Sequence, residues 1–450
     1  MSDAVKDPRH AAWAEPRRQP DWLRLLARRS ALRLAEADHA SGSPTLMALV
    51  IAIALVSCGN INPAIFGPPE AVVELGQKLA GAVFWLLAIG VTFLPGVRRR
   101  PPPTAGLLLP AVLVVWAVSS VAWSNQPASS IEKAAVLAFT TFGAWRLASS
   151  LRCDTLFRLL FWSLLLLVLG SVAAAVFVPS IGVLRTWQHA GQWSGLFVSK
   201  QTLGTVSASL VFLSLLRLCY AVTPAAILGL VAGIAAVIGA GSRGGAVMAV
   251  AAVVCVLVAR RSARLAGAIS YLPSVTLGLA SAGIAILVGM DLPYFPFFGT
   301  EIDLTDRTVI WHYALSGWTE RPLLGFGIQG FWTDPLRYEL FEQTHGWVLD
   351  NFHSGYVALL VEQGLLGYLL FAGFVLVLCR RLRLAILGAA RLDPGARFGI
   401  EATFGYVILS FTINLTETFF FRATDFAQVT VALATITLFT APAPAPAPRA

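Results

Sequence analysis

Arg243, Arg307, His353 and Glu417 are polar groups set at or near the ends of long apolar runs, and their types are those of group-transfer chemistry. A pair of arginines suits a phosphate or pyrophosphate, because guanidinium offers two parallel donors and a charge that is never lost. Arg243 stands in Gly241-Ser242-Arg243-Gly244-Gly245, a tight turn in which bare backbone amides and a guanidinium can point at one anion. Arg307 follows Thr305-Asp306, read as a helix start, with Ile310, Trp311, Ala314, Leu315 and Trp318 at helical spacing on one apolar face. It then falls in the first turn, where free amides add to its field. His353 lies between Asp350-Asn351 and Ser354-Gly355-Tyr356, at the mouth of an apolar run. An imidazole there, with an ordinary pKa of about 6.5, can take a proton from a hydroxyl. Glu417, in Asn414-Leu415-Thr416-Glu417, could orient a histidine, pair with an arginine or bind a sugar hydroxyl, and the sequence leaves all three open. Lys200, Arg321 and Tyr356 join Glu417 as expected substrate-binding residues, and no metal ligand is among the expected site residues. Any one of the arginines could instead snorkel to lipid headgroups or pair with an acid. Arg243 and Arg307 together, beside a long polar segment, favour a ligand.

The elements that must position these groups are membrane spans. Apolar residues make up 57% of the chain and charged residues 13%, with a mean hydropathy of +0.72, beyond what a soluble domain carries on its surface. Runs of about twenty residues, enough to cross the hydrocarbon core, occur at 45–65, 71–95, 104–123, 131–149, 156–178, 194–216, 222–240, 244–259, 266–290, 354–379, 397–416 and 424–440. The expected fold is an all-α polytopic membrane protein of about twelve transmembrane helices, with one long periplasmic loop between spans nine and ten. That loop, Asp291 to His353, is the one long polar segment between the spans. With the N-terminus cytoplasmic, Arg98–Arg100, Arg152, Arg217, Arg260, Arg261, Arg264, Arg380, Arg381, Arg383, Arg391 and Arg397 fall on inner loops. The outer loops hold fewer, which is the positive-inside pattern. The net charge of +9 is then mostly a topology signal, and nucleic acid is not an expected partner. Domain boundaries follow: a basic cytoplasmic tail at 1–44, nine spans at 45–290, the loop at 291–353, three spans at 354–440 and a cytoplasmic Ala-Pro tail at 441–450. No signal peptide is expected, because residues 1–40 are polar and basic without a short apolar core. Within the tail, Trp22, Leu25, Leu26 and Leu32 alternate with Arg24, Arg28, Arg29 and Arg33 as in an amphipathic helix on an anionic leaflet, or in a basic tail without fixed structure.

Other signals carry less. Gly325-Phe326-Gly327-Ile328-Gln329-Gly330 spells a dinucleotide-binding fingerprint but has no strand before it, so its glycines are read as turn residues after Pro322. His312, His345, Asp350 and His353 lack metal-ligand spacing. Trp311, Trp318, Trp332 and Trp347 are read as interfacial anchors rather than sugar-stacking platforms, and the five scattered cysteines as packing residues.

Taken together the motifs resemble the superfamily of O-antigen ligases and O-antigen or exopolysaccharide polymerases. The resemblance runs from Thr305 to Leu370 through Asp306-Arg307-Thr308-Val309-Ile310-Trp311, Glu320-Arg321-Pro322-Leu323-Leu324-Gly325-Phe326-Gly327, His353-Ser354-Gly355-Tyr356 and Glu362-Gln363-Gly364-Leu365-Leu366-Gly367. Weaker echoes lie at Trp123-Ser124-Asn125-Gln126-Pro127, Gly195–Gln201, Gly241–Gly244 and Asn414–Glu417. The resemblance implies an inner-membrane glycosyltransferase with a periplasmic active site, an undecaprenyl-pyrophosphate-linked glycan donor, a glycan or lipid A core acceptor, and neither metal nor other cofactor. It implies that Arg243 and Arg307 hold the donor pyrophosphate and that His353 activates the acceptor. A flippase and a chain-length regulator are the protein partners it suggests, and membrane lipids surround the spans. The usual His-Asn pair reads His353-Ser354 here, which keeps the base, and the usual His-Lys-Asn reads Ser199-Lys200-Gln201, which weakens any role for the residues flanking Lys200. The motifs stand closer to the exopolysaccharide polymerase branch than to ligases. A transporter of lipid-linked cargo is the expectation from another class, but it predicts repeated halves, and no such repeat is seen.

Overall fold

The computed structural model describes residues 82–83, 85–87, 89–90, 92–93, 107–185, 190–297, 300–302, 304, 306–346, 349, 351–422 and 426–440. The first predicted span, most of the second, the basic tail, the Ala-Pro tail, Cys58, Trp347 and Asp350 lie outside the described residues. In hydrocarbon every backbone N–H and C=O must pair within its own segment, so apolar runs fold as helices. In order these are α1 (Leu108–Ser119, continued by a 3-10 turn at Ser120–Trp123), α2 (Pro127–Ser150), α3 (Cys153–Phe177), the short α4 (Pro179–Gly182), α5 (Lys200–Leu218) and α6 (Pro224–Gly239). Then come α7 (Arg243–Arg261), α8 (Ala263–Ile269) and α9 (Leu272–Met290). The polar segment follows, with a hairpin of β1 (Phe295–Phe297) and β2 (Thr300–Ile302), then α10 (Arg307–Trp318) and α11 (Pro335–His345). The chain closes with α12 (Gly355–Gly388), α13 (Pro394–Ile413) and α14 (Phe426–Thr440).

Five of these stretches, Cys153–Phe177, Lys200–Leu218, Arg243–Arg261, Ala263–Met290 and Gly355–Arg391, are long and apolar enough to cross a membrane. The expected count of twelve therefore rests on the sequence. The described residues are all-α apart from that short hairpin. One local expectation is corrected: the predicted span at 397–416 ends at Ile413, after which the chain turns back on itself. Arg260, on α7, donates through Nε and Nη2 to Glu401 on α13, while Arg397 and the Tyr220 hydroxyl reach the same buried carboxylate. This network gathers the C-terminal ends of α5 and α7 and the start of α13. Lys200 and Arg243, which open α5 and α7, and Glu417, just beyond α13, lie at the other ends of the same helices.

α12 is not one continuous helix. Gly364 inside it has φ +67 and ψ −178, which breaks the ladder and strands the polar groups on either side. The turn Arg321–Gly327 fills the break. Phe326 and Gly327 donate their amides to the carbonyls of Val361 and Glu362, and the carbonyls of Pro322 and Leu323 accept from Leu365 and Leu366, at 2.8 to 3.2 Å. Gly325 and Gly327, with φ of +68 and +81, are the turn residues the sequence suggested, and a Cβ on Gly325 would stand 2.5 Å from the Val361 carbonyl oxygen. The polar segment is thus spliced into the bundle by main-chain hydrogen bonds. Behind the splice, an aromatic knot of Tyr313, Phe326, Phe331, Trp332, Phe341 and Phe352 fixes α10 and α11 against it. Burial in this knot pushes the Tyr313 hydroxyl up from its ordinary pKa. Trp311 and Trp332 are buried here, which corrects their reading as interfacial anchors.

Candidate functional site

Helices α5, α7 and α12 all begin on a serine cap. Ser199, Ser242 and Ser354 accept from the amides of Thr202, Gly245 and Val357 at 3.1, 3.1 and 3.4 Å. Each cap satisfies one amide and leaves others of the first turn pointing outward, a partial positive charge at every start. The flanking Ser199 thus has a local helical role in this chain.

Lys200 is the first residue of α5 and Arg243 the first of α7. The helices meet through glycine, since a Cβ on Gly204 would stand 2.2 Å from the Ser242 hydroxyl and one on Gly245 2.7 Å from the Gly204 carbonyl oxygen. That approach sets the two cations side by side, near enough for the charge of Arg243 to act on Lys200. No carboxylate pairs with either among the described residues. Two like charges held at two helix starts without a counter-ion are suited to an anion.

The second half of the site is built around Glu417. One of its carboxylate oxygens lies 3.2 Å from Arg307 Nη2, and the other 3.5 Å from His353 Nδ1. Of the three roles that the sequence left open for Glu417, it therefore pairs with an arginine and faces the histidine. Arg307 opens α10 as expected, although Asp306 adopts a left-handed conformation and its side chain makes no cap. His353 is held from three sides. Its amide donates to Asn351 Oδ1 at 3.1 Å, the preceding Phe352 carbonyl accepts from Trp311 Nε1 at 2.8 Å, and the following Ser354 amide donates to Thr418 Oγ1 at 3.1 Å. These contacts maintain His353 at φ +49, a conformation that costs a non-glycine residue about 1–3 kcal/mol.

Asn414, beyond α13, explains why Glu417 stands where it does. Its Oδ1 accepts from the amides of Phe419 and Phe420 at 3.0 and 3.1 Å, folding the turn that carries Glu417. The Gly355 amide then donates to the carbonyls of both Asn414 and Glu417 at 2.8 and 2.9 Å, clamping this turn to the start of α12. Ile413, whose carbonyl accepts from the Glu417 amide at 2.9 Å, also lies 3.4 Å from a Cβ placed on Gly244. The Lys200–Arg243 pair and the Arg307–Glu417–His353 group therefore share one end of the bundle.

Two expected site residues are set apart. Tyr356 is fully buried, with its hydroxyl donating to the Phe411 carbonyl at 2.9 Å and 2.8 Å from Thr276 Oγ1, so it packs the bundle rather than meeting substrate. It lies on the inward face of α12, a fact that adjacency to His353 concealed. Arg321 donates to the Trp123 carbonyl at 3.2 Å and lies over the Phe326 ring, which makes it an anchor of the spliced turn. The other histidines of the polar segment have separate contacts: His345 stacks on Phe341, and His312 lies 3.8 Å from Asp291.

One further pair escaped the sequence. Arg422 Nη2 lies 2.9 Å from Glu362 Oε1, joining the chain beyond Glu417 to α12 just before its break, with Glu362 buried. Removing the cation strands a buried carboxylate, so Arg422→Ala should lower stability by about 3 kcal/mol. Thermal unfolding of the purified protein checks this, the expected result being a clearly lower midpoint than wild type.

Residues 228–372, which include Arg243, Arg307 and His353, match the family model described as O-antigen ligase. That segment is similar to the superfamily of O-antigen ligases and polymerases. Members of that superfamily are membrane enzymes that transfer glycans, and five helical stretches of this chain are long and apolar enough to cross a membrane. Lys200 and Glu417 fall outside the matched segment, yet the fold delivers Glu417 to Arg307 and His353. No curated protein matches the chain.

Proposed function

We propose that this chain is an inner-membrane glycosyltransferase of about twelve spans that polymerises undecaprenyl-pyrophosphate-linked repeat units of an exopolysaccharide or O-antigen at the periplasmic face. The observation that carries this reading is the meeting of Arg307, Glu417 and His353 at the end of the bundle that also holds Lys200 and Arg243. In the transfer, an acceptor hydroxyl oxygen attacks the anomeric carbon while the bond from that carbon to the diphosphate oxygen breaks. Nδ1 of His353 faces Glu417, which leaves Nε2 to receive the hydroxyl proton. The electron pair leaves with the diphosphate, whose growing charge Arg307, Arg243 and Lys200 stabilise. Attack from the face opposite the leaving group inverts the anomeric centre. The residues supply every role in this step without a metal or other cofactor.

The cationic pair gives the test. Lys200→Ala combined with Arg243→Ala should weaken use of lipid-linked donor by about 10²-fold in kcat/KM, measured with purified protein and donor in the absence of any ion gradient. Wild-type rates in the double variant would remove the pair from the site, and no glycosidic product from the wild-type protein would refute the transferase reading altogether.

The matched description, O-antigen ligase, favours a second reading in which finished glycan passes to lipid A core or protein. A deletion strain separates the two, since lipid-linked single repeats accumulate when a polymerase is lost and long lipid-linked chains accumulate when a ligase is lost.

A further inference from the structure

Glu417 faces two partners that it cannot serve equally. Its bond to Arg307 is formed at 3.2 Å, whereas His353 Nδ1, a buried atom with no hydrogen-bond partner among the described residues, stands 3.5 Å from the other oxygen. A buried ring nitrogen without a hydrogen-bond partner is costly, and the carboxylate that faces it is drawn toward a guanidinium. Arg307, under the reading above, is also a group that a donor diphosphate must engage.

We propose that Glu417 is an internal competitor for the donor's phosphate and a positioning residue for His353, so that donor binding switches on the base. The inference rests on the proposed function. A diphosphate oxygen arriving at Arg307 takes over the guanidinium, and the carboxylate, released from that bond, closes the short remaining distance to His353 Nδ1. The imidazole is then fixed with Nδ1–H toward Glu417 and the Nε2 lone pair toward the acceptor. The surroundings favour a small carboxylate movement over a loop rearrangement. The Glu417 main chain is clamped by Gly355 and Ile413, and His353 is held by Asn351 and Thr418 on either side. Only the side chain has freedom to change partner. Donor binds first in this scheme, and an acceptor hydroxyl meets an oriented base only afterwards. Water arriving without donor finds the base unaligned.

Glu417→Gln separates this scheme from a structural role because it moves two quantities in opposite directions. Loss of the competing charge should tighten binding of inorganic pyrophosphate to the full-length protein in nanodiscs by about tenfold, a typical coupling between linked sites. Loss of the orienting charge should lower kcat by about 10²-fold or more. A side chain that merely supports the fold would weaken both. In wild-type protein carrying labelled histidine, pyrophosphate should also shift the His353 ring-nitrogen resonances, and in Glu417→Gln it should not. If wild-type protein binds pyrophosphate through Arg307 but Glu417→Gln binds it equally or more weakly, the competition is refuted and the transferase reading stands. If wild-type protein binds no pyrophosphate, both are refuted. Should Glu417→Gln not fold, an unshifted His353 signal in wild-type protein saturated with pyrophosphate overturns the proposal on its own.

Discussion

His353→Ala should reduce glycan transfer by about 10²–10⁴-fold while the protein still inserts and melts like wild type. The geometry predicts that separation. The His353 contacts that hold the chain are made by its main chain, through Asn351, and by its neighbours, through Trp311 and Thr418. Among the described residues, the polar contact of the ring is with Glu417, at 3.5 Å. Truncation therefore removes a proton acceptor and leaves the frame. Relief of the left-handed backbone is not expected, since alanine at φ +49 is as unfavourable as histidine there. Turnover of purified donor by the variant in nanodiscs, set beside its unfolding midpoint, is the measurement. A variant that transfers at wild-type rates would remove His353 from the chemistry, and one that unfolds would show the imidazole to be structural.

Gly364→Val should have the larger effect on the molecule as a whole, with loss of folded protein from the membrane. A Cβ at Gly364 would stand 2.2 Å from the Leu323 carbonyl oxygen and 2.6 Å from the Leu324 carbonyl carbon, at a φ that a β-branched residue does not tolerate. The neighbouring atoms are backbone, so they cannot swing aside as a side chain would. Relief requires the turn to leave, and with it the four hydrogen bonds that close the break in α12. Each orphaned group in a low-dielectric setting costs about 1–3 kcal/mol, and several together are comparable to the whole stability of a domain. Folded yield after detergent extraction, judged by size-exclusion profile, reads the outcome. A monodisperse variant at wild-type yield would show that the splice is dispensable.

The sequence made the candidate group legible because charge in an apolar chain is rare and each charge requires a reason. Arg307, His353, Arg243, Lys200 and Glu417 all stood out on that ground, and the structure brings them to one end of the bundle. It gave no means of choosing among three roles for Glu417, because its partners come from α10 and from the start of α12, remote in the chain. Tyr356 was misassigned because adjacency to His353 in the chain says nothing about which face of a helix a residue occupies, and its face is inward. The break at Gly364 was also hidden. A glycine within an apolar run is compatible with an unbroken span, and only the docking of Arg321–Gly327 shows that this one is not. The serine caps could have been found, for Ser-Lys-Gln-Thr, Ser-Arg-Gly-Gly and Ser-Gly-Tyr-Val each place a capping residue just before a span.

The spliced helix also bears on how such a chain can be altered. Residues 322–327 are, in hydrogen-bonding terms, the missing part of a helix that is synthesised after them, so the four main-chain bonds that close the break cannot form until 361–366 have emerged. The polar segment and the span that follows it must mature as one unit. An exchange of segments between two enzymes of this kind has its natural seams before Asp291 and after Gly367, whereas a cut at His353 would separate donors from their acceptors and leave both halves with exposed main chain.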